Sequence, residues 1–486
     1  MVIAIIAAYF IVLIGIGIWS SRRVKTSSGY FLGNKETGPV LTAFRFASTF
    51  ESGAMMLGTP GMGYSIGYPG LIQGFLGPLG YFFSFRVFGQ RTKVCCDHYD
   101  VLTVPQLLEK RYHSQYVRML ASLAILVGLT GSVVAQLKAM GEVFSSVLKI
   151  DYIPGVLIGV AVVGIYSFFG GYVATLWANC IQGILMMFGA VIVFCFANVA
   201  CFGEFTLAGL PEKFNAILSG VNPDMLTITG GGAIPMSTIV VMLIISLSIG
   251  IALPQQTVTL FSMKNRNVAR VALIICSIFS VVLMWGLMPS AWMAHEIIPP
   301  VSNPDSVIPT LVSAIMPPAL AGLFLAAVLS AIMSTVGSLM LVTASALSQD
   351  IFNMLAPKVY EKRPMFYDRL AVFLMVVIPM AIALKPPAAI FWIIIFAFSM
   401  IVLTFLMPML GCIFWKKSTK QGALASMVVG AILVPLWTVI GEPGIPALFL
   451  GVILAPVLFI VVSLATQGGR QDHAEVDGLW NAFSQM

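Results

Sequence analysis

The chain has 486 residues, of which 59% are hydrophobic and 9% charged, against roughly 25% charged in an ordinary soluble domain. Its 26 basic and 19 acidic side chains are too few to cover a globule of this size with water-facing groups. Most of the surface must therefore face lipid, which excludes a soluble enzyme. The net charge of +7 calls for no nucleic-acid partner, because cytoplasmic loops beside anionic lipid account for it.

A hydrocarbon core of about 30 Å takes about 20 apolar residues per helix. The long uncharged runs predict an all-α polytopic membrane protein with 13 transmembrane helices, over 2–20, 38–66, 69–89, 117–148, 153–172, 175–202, 235–262, 268–297, 319–350, 367–384, 388–414, 421–440 and 444–466. The first run is read as a retained anchor, since Arg22, Arg23 and Lys25 follow it rather than precede it. Assigning the loops alternately to two sides puts 20 Lys and Arg on one side and only Lys149, Lys213 and Lys385 on the other, with Arg45, Arg86 and Lys138 inside the spans. That asymmetry predicts an amino terminus outside and a carboxyl terminus in the cytoplasm, in the inner (plasma) membrane of the cell.

The loops are too short for a separate soluble domain. The internal one, 90–116, predicts a short helix from Val104 to Arg111 starting after Thr103. The external one, 203–234, with three glycines at 230–232, reads as a flexible cap. The 7 cysteines have no spacing that would cage zinc or brace a secreted scaffold, and are read as reduced core thiols. The 4 histidines are too dispersed along the sequence to suggest a haem or metal helix. There is no Walker loop and no His-Glu-x-x-His, so an ATP-driven pump or an intramembrane protease lacks support.

Inside a membrane, unpaired backbone groups are tolerated only where they line a cavity, so Gly, Pro and small polar residues within a span mark binding sites. The second span, from Ala47 to Gly63, carries Ser48, Thr49, Ser52 and Gly53 at mid-depth. The seventh, "SIGIALPQQT" at 248–257, carries Gly250 and Pro254. They lie five spans apart, and an odd offset inverts a second unit relative to the first, which is the architecture of inverted repeats with paired broken helices. Close packing at glycine and a simple proline kink are the plainer alternative. The ninth span adds adjacent hydroxyls at Ser334 and Thr335. Two hydroxyls plus carbonyls freed by a broken helix offer the hard oxygens that a dehydrated sodium ion needs, whereas an ordinary transmembrane Ser or Thr bonds back to the carbonyl four residues earlier.

Several stretches resemble the sodium:solute symporter family over nearly the whole chain: "YFLG" at 30–33, "GTPGMGYSIG" at 58–67, "FFGGYVATLWANCIQG" at 168–183, "ALPQ" at 252–255 and "PPALAGLFLAAVLSAIMSTVGSLML" at 317–341. "VIPTL" at 307–311 and "KPPAAIFW" at 385–392 tilt the likeness toward the pantothenate branch. The resemblance implies a LeuT-like 5+5 inverted-repeat core: an extra helix and loop at 1–37, first repeat 38–202, external loop 203–234, second repeat 235–414, and two last helices with the tail at 415–486. It implies a secondary transporter, not an enzyme, that couples inward sodium flow to uptake of a small organic anion, pantothenate first, with no obligate protein partner. A symporter of another carboxylate or small solute, coupled to sodium or protons, is the nearer alternative, and a sensor or channel on the same fold the more distant one. Carried over, the sodium ligands would be the hydroxyls of Ser334 and Thr335, the carbonyl of Ala331, and carbonyls of span 2 near Ser48 and Glu51. The solute would sit against Phe50, Ser52, Gly53, Gln136 and Gln255.

Two positions depart from the family pattern. An aspartate expected on the ion-exit path is Asn179 here, and a histidine after "LP" is Gln255. Glu51 is the most unexpected residue. A carboxylate at mid-membrane costs about 3 kcal/mol or more unless it faces water, a cation or a partner. It could add charge at the sodium site, accept a proton, or pair with Arg45, although six residues of regular helix put those two on different faces.

Overall fold

The structure is a computed structural model that describes residues 1–146, 148–385, 390–441, 447–469 and 474–485. Helices and turns account for the named elements, and the one isolated bridge among the described residues pairs Thr37 with Met263. Among the described residues nine helices are long and apolar enough to cross a membrane, and a bent pair broken at 44° makes a tenth candidate.

The helices that matter here are α1 (Val2–Ser21), α2 (Pro39–Phe50), α3 (Gly53–Ile66), α4 (Leu71–Phe82), α5 (Gln115–Ser146), α6 (Tyr152–Phe202), α7 (Met236–Ala252), α8 (Pro254–Phe261), α9 (Val268–Ile297), α10 (Pro318–Ser345) and α11 (Pro364–Ala383). Towards the carboxyl end come α12 (Ile390–Phe414), α13 (Lys420–Val428) and α14 (Ala447–Ala465), followed by a short helix over Ala474–Ser484. α10 is the hub: every residue from Phe324 to Ser345 is buried, and it packs on α1, α2, α3, α5, α6 and α11. An uncharged helix buried on all sides, with so little lipid contact, is the centre of a bundle rather than its rim.

The 13 expected runs and the helix count differ for physical reasons. The runs 153–172 and 175–202 are two helices that follow one another without a loop inside the element α6, joined by a kink at Gly171, which leaves helical geometry at φ 51 and ψ −136. Its 51 residues would extend about 75 Å if straight, more than twice a hydrocarbon core. The run 38–66 is instead two helices of 12 and 14 residues, α2 and α3. The expected short helix is present as Val104–Tyr112, capped by the Thr103 hydroxyl, which accepts from Gln106 N. The loop 203–234 is not a plain flexible cap: it holds a helix from Leu210 to Val221 that buries Phe214, Ile217 and Leu218. Residues 386–389 of "KPPAAIFW" lie outside the described residues, as do 442–446 around the start of the last expected span.

Gly171 is required by its surroundings twice over. Its positive φ suits glycine, and an added Cβ would stand 2.6 Å from the Tyr30 carbonyl oxygen. Gly171→Ala is expected to lower stability by at least about 1–3 kcal/mol, read as a reduced melting temperature in detergent and a lower yield of monodisperse protein.

The end of α10 nearest the basic loops is clasped by carboxylates. Asp350 accepts from Arg118 Nε at 3.0 Å and from the Thr103 hydroxyl at 2.8 Å. Asp368 on α11 accepts from Ser27 at 2.6 Å, Tyr360 at 2.8 Å and Gln349 at 3.0 Å, and also from Ser348. At the opposite end, the turn Pro304–Ser306 rests on α3, where a Cβ at Gly61 would fall 2.6 Å from Pro304 O. Burial there pushes the Asp305 carboxyl above its ordinary value.

Candidate functional site

The break between α2 and α3 creates the site. Glu51 ends α2 at φ −76, ψ 70, and Ser52 is extended at φ −73, ψ −179. A helix that stops leaves its last carbonyls without intrahelical donors. The carbonyl of Ala47 still accepts from Glu51 N, and that of Phe50 from Ser52 N. The carbonyls of Ser48 and Thr49 turn instead to α10, where Ser334 Oγ donates to Ser48 O at 2.7 Å and Thr335 Oγ1 to Thr49 O at 3.2 Å. Both hydroxyls also lie 3.1 Å from the carbonyl of Ala331. Five neutral oxygens from two helices thus converge at one point.

Four of the expected ion ligands, Ser48, Ala331, Ser334 and Thr335, are brought together in this way. The Glu51 side chain is not among them. It turns to the other side of the break, where its Oε1 accepts from Ser280 Oγ at 2.8 Å and from Tyr81 at 3.2 Å. The reason is local: as the residue that follows α2 at the break it faces Tyr81 on α4 and Ser280 on α9. Nor does it pair with Arg45, whose guanidinium donates to Thr175 at 2.8 Å and lies over the Tyr172 ring.

Asn179 on α6 sits beside this cluster. Its Nδ2 donates to Thr49 Oγ1 at 3.2 Å and to Ser338 Oγ at 3.0 Å, and those two hydroxyls lie 2.9 Å apart. The amide oxygen Oδ1 is buried without a partner among the described residues.

On its other side the cluster opens into a narrow cavity of about 30 Å³, lined by Thr49, Phe50, Ser52, Ser132, Gln136 and Thr335 together with Gln255 and Gln256. That is room for one or two waters, so a solute enters only when the helices part. The second broken pair, α7 and α8, brings the glutamines here: Leu253 is extended at φ −103, ψ 108 and Pro254 opens α8. The side-chain oxygens of Gln136, Gln255 and Gln256 are all buried without a donor among the described residues. The expected solute residues Phe50, Ser52, Gln136 and Gln255 therefore share one cavity. Gly53 lies behind it, where a Cβ would be 2.5 Å from Ile332 Cγ1 and 3.7 Å from Gln136 Oε1.

Sequence reasoning missed Ser338 and Gln256, and marked Thr49 at the break without naming it as a ligand. Each had a signal. Thr49 adjoins Ser48 at the break, Ser338 follows Thr335 by three residues on the same helix, and Gln256 adjoins Gln255.

Paired broken helices, a neutral oxygen cluster and an adjoining polar cavity define a sodium-coupled solute symporter. The chain belongs to the sodium:solute symporter family, whose profile matches residues 30–430. It is 27% identical over 438 residues to the sodium/pantothenate symporter of Escherichia coli, covering 89% of each chain. It is 28% identical over 483 residues to the osmoregulated proline transporter OpuE of Bacillus subtilis, covering 96% of this chain and 95% of that one. Its fold is shared with a Na+-coupled sialic acid symporter at a TM-score of 0.78 and 17% identity, over 97% of this chain and 98% of the other. This is therefore a multi-pass membrane transporter, not an enzyme, and sodium is its coupling ion.

Proposed function

We propose that the protein takes up a small organic anion, pantothenate first, with sodium held by the carbonyls of Ser48, Thr49 and Ala331 and the hydroxyls of Ser334 and Thr335. The observation that carries the ion site is the meeting of two α10 hydroxyls with two carbonyls released by the α2–α3 break. The same reading arranges the chain as 13 crossings in a LeuT-like 5+5 core, with α2 to α6 in the first repeat and α7 to α12 in the second. Its amino terminus lies outside and its carboxyl terminus in the cytoplasm, on the side of the basic loops. Glu51 acts on the ion through charge alone, and Asn179 marks the way the ion leaves.

Sodium between α2 and α10 favours the outward-open form, solute binding at Phe50, Ser52, Gly53, Gln136 and Gln255 favours closure, and low cytoplasmic sodium favours release inward. The amino end of α3, exposed by the break, favours a carboxylate, while hydroxyl and amide hydrogens of the solute meet the three glutamine oxygens. Pantothenate offers all of these groups. The likeness to proline transporters and the tight cavity favour a second reading, a small amino acid.

One panel in proteoliposomes tests both. Pantothenate is expected to compete for sodium-driven uptake at least tenfold better than its neutral amide, because the carboxylate is worth about 1.5–3 kcal/mol in charge-assisted hydrogen bonds. Equal competition by the amide sinks the anion reading. Competition by proline and not by pantothenate selects the second.

A further inference from the structure

We propose that Arg45 binds a small monovalent anion beside the sodium site, on the side of the basic loops, and that this anion accompanies sodium along the seam between α2 and α6. The proposal rests on the sodium site described above. Arg45 is completely buried. Its Nη1 donates to Thr175 Oγ1 at 2.8 Å, and the guanidinium carbon stands 4.1 Å from the centre of the Tyr172 ring. Nε and Nη2 have no partner among the described residues, and none of the ion pairs found there includes Arg45. The acidic residue nearest in sequence, Glu51, is occupied by Tyr81 and Ser280.

A guanidinium does not lose its proton in a protein. Burial therefore leaves a full charge with two unmet donors, and one aromatic face offsets only part of that cost. An anion against Nε and Nη2 would supply both the acceptors and the opposite charge.

The position of Arg45 says which anion. Arg45 and Thr49 are four residues apart on α2, and they meet Thr175 and Asn179, four apart on α6. These two rungs are one helical turn, about 6 Å, from each other. The upper rung closes on Ser338 and adjoins the sodium oxygens, and Asn179 keeps an unpartnered acceptor there. The lower rung keeps unpartnered donors. A cation held at the upper rung faces the Arg45 charge at about 6–8 Å, and repulsion at an effective dielectric near 20 weakens its binding by about tenfold or more. An anion on Arg45 removes that repulsion, so cation and anion bind cooperatively. The chemistry is a single negative charge that accepts from Nε and Nη2, either a chloride ion or the carboxylate of the transported solute once it has left the amino end of α3 on its way inward.

The test is radioactive sodium binding to the purified full chain, in sodium chloride and in the sodium salt of the bulky sulfonate MES, each with and without pantothenate. Chloride is the anion if replacing it raises half-saturating sodium by about tenfold in the wild type but not in Arg45→Met. The solute carboxylate is the anion if chloride is immaterial, pantothenate tightens sodium about tenfold in the wild type, and Arg45→Met loses that coupling while Arg45→Lys keeps part of it. Sodium binding indifferent to both anions in the wild type, a comparison that needs no variant, overturns the proposal. So does an Arg45→Met protein that responds to both anions as the wild type does. Absence of any saturable sodium binding in the wild type defeats the underlying sodium site as well, and is recognised because no titration exists to shift.

Discussion

Ser334→Ala is expected to raise the half-saturating sodium concentration for uptake by about tenfold or more, and Thr335→Ala to do the same, since each deletes one oxygen worth about 1.5–3 kcal/mol to a charged partner. The site has no carboxylate in reserve to make up the loss, because the side-chain charge of Glu51 is directed at Ser280 and Tyr81. Deleting either hydroxyl also strands a carbonyl of α2 that has no intrahelical donor. Thr335→Ser retains the oxygen and is expected to stay within a few-fold of the wild type. Sodium titration of uptake across these three variants, with surface expression matched, checks the assignment. Unchanged sodium dependence in both alanine variants would remove α10 from the ion site.

Glu51→Ala is expected to be the most damaging single change at the break. It removes the acceptor that the buried Tyr81 and Ser280 hydroxyls share, so that at least one of them loses its partner, at about 1–3 kcal/mol for an unmet group. Glu51→Gln preserves the oxygen that both hydroxyls use, so it is expected to fold with a melting temperature near that of the wild type. Its sodium affinity is expected to fall several-fold, because a negative charge near the cation is lost even though no direct bond is. The comparison is melting temperature and sodium titration for both variants. A Glu51→Ala protein as stable as Glu51→Gln would show that the two hydroxyls find other acceptors and that the carboxylate does not brace the break.

The broken helices and the Ser334–Thr335 pair were legible because lipid forbids free backbone groups, so a break at mid-membrane leaves a local mark in composition. Small polar residues and glycine cluster at 47–53, and glycine and proline at 250–254. Long-range partners left no such mark. Nothing near Glu51 in sequence points to Ser280, which is 229 residues away, nor does Arg45 point to Thr175, 130 away. The boundary between the runs 153–172 and 175–202 was legible to within a few residues, since the two helices meet at Gly171, where a single residue absorbs the turn without a loop. The resemblance put Glu51 near the ion through the carbonyls of span 2, and its side chain instead meets Ser280 and Tyr81, residues distant in sequence that no local pattern marks.

The oxygens that meet between α2 and α10 are neutral, and this has an electrical consequence. A carrier whose ion ligands bear no charge returns empty without moving that site's charge through the membrane field, where each elementary charge is worth about 2.3 kcal/mol per 100 mV. On this reading voltage acts on the loaded crossing alone. One sodium travelling with one monovalent anion then carries no net current, and any steady current at saturating solute counts the sodium ions in excess of one.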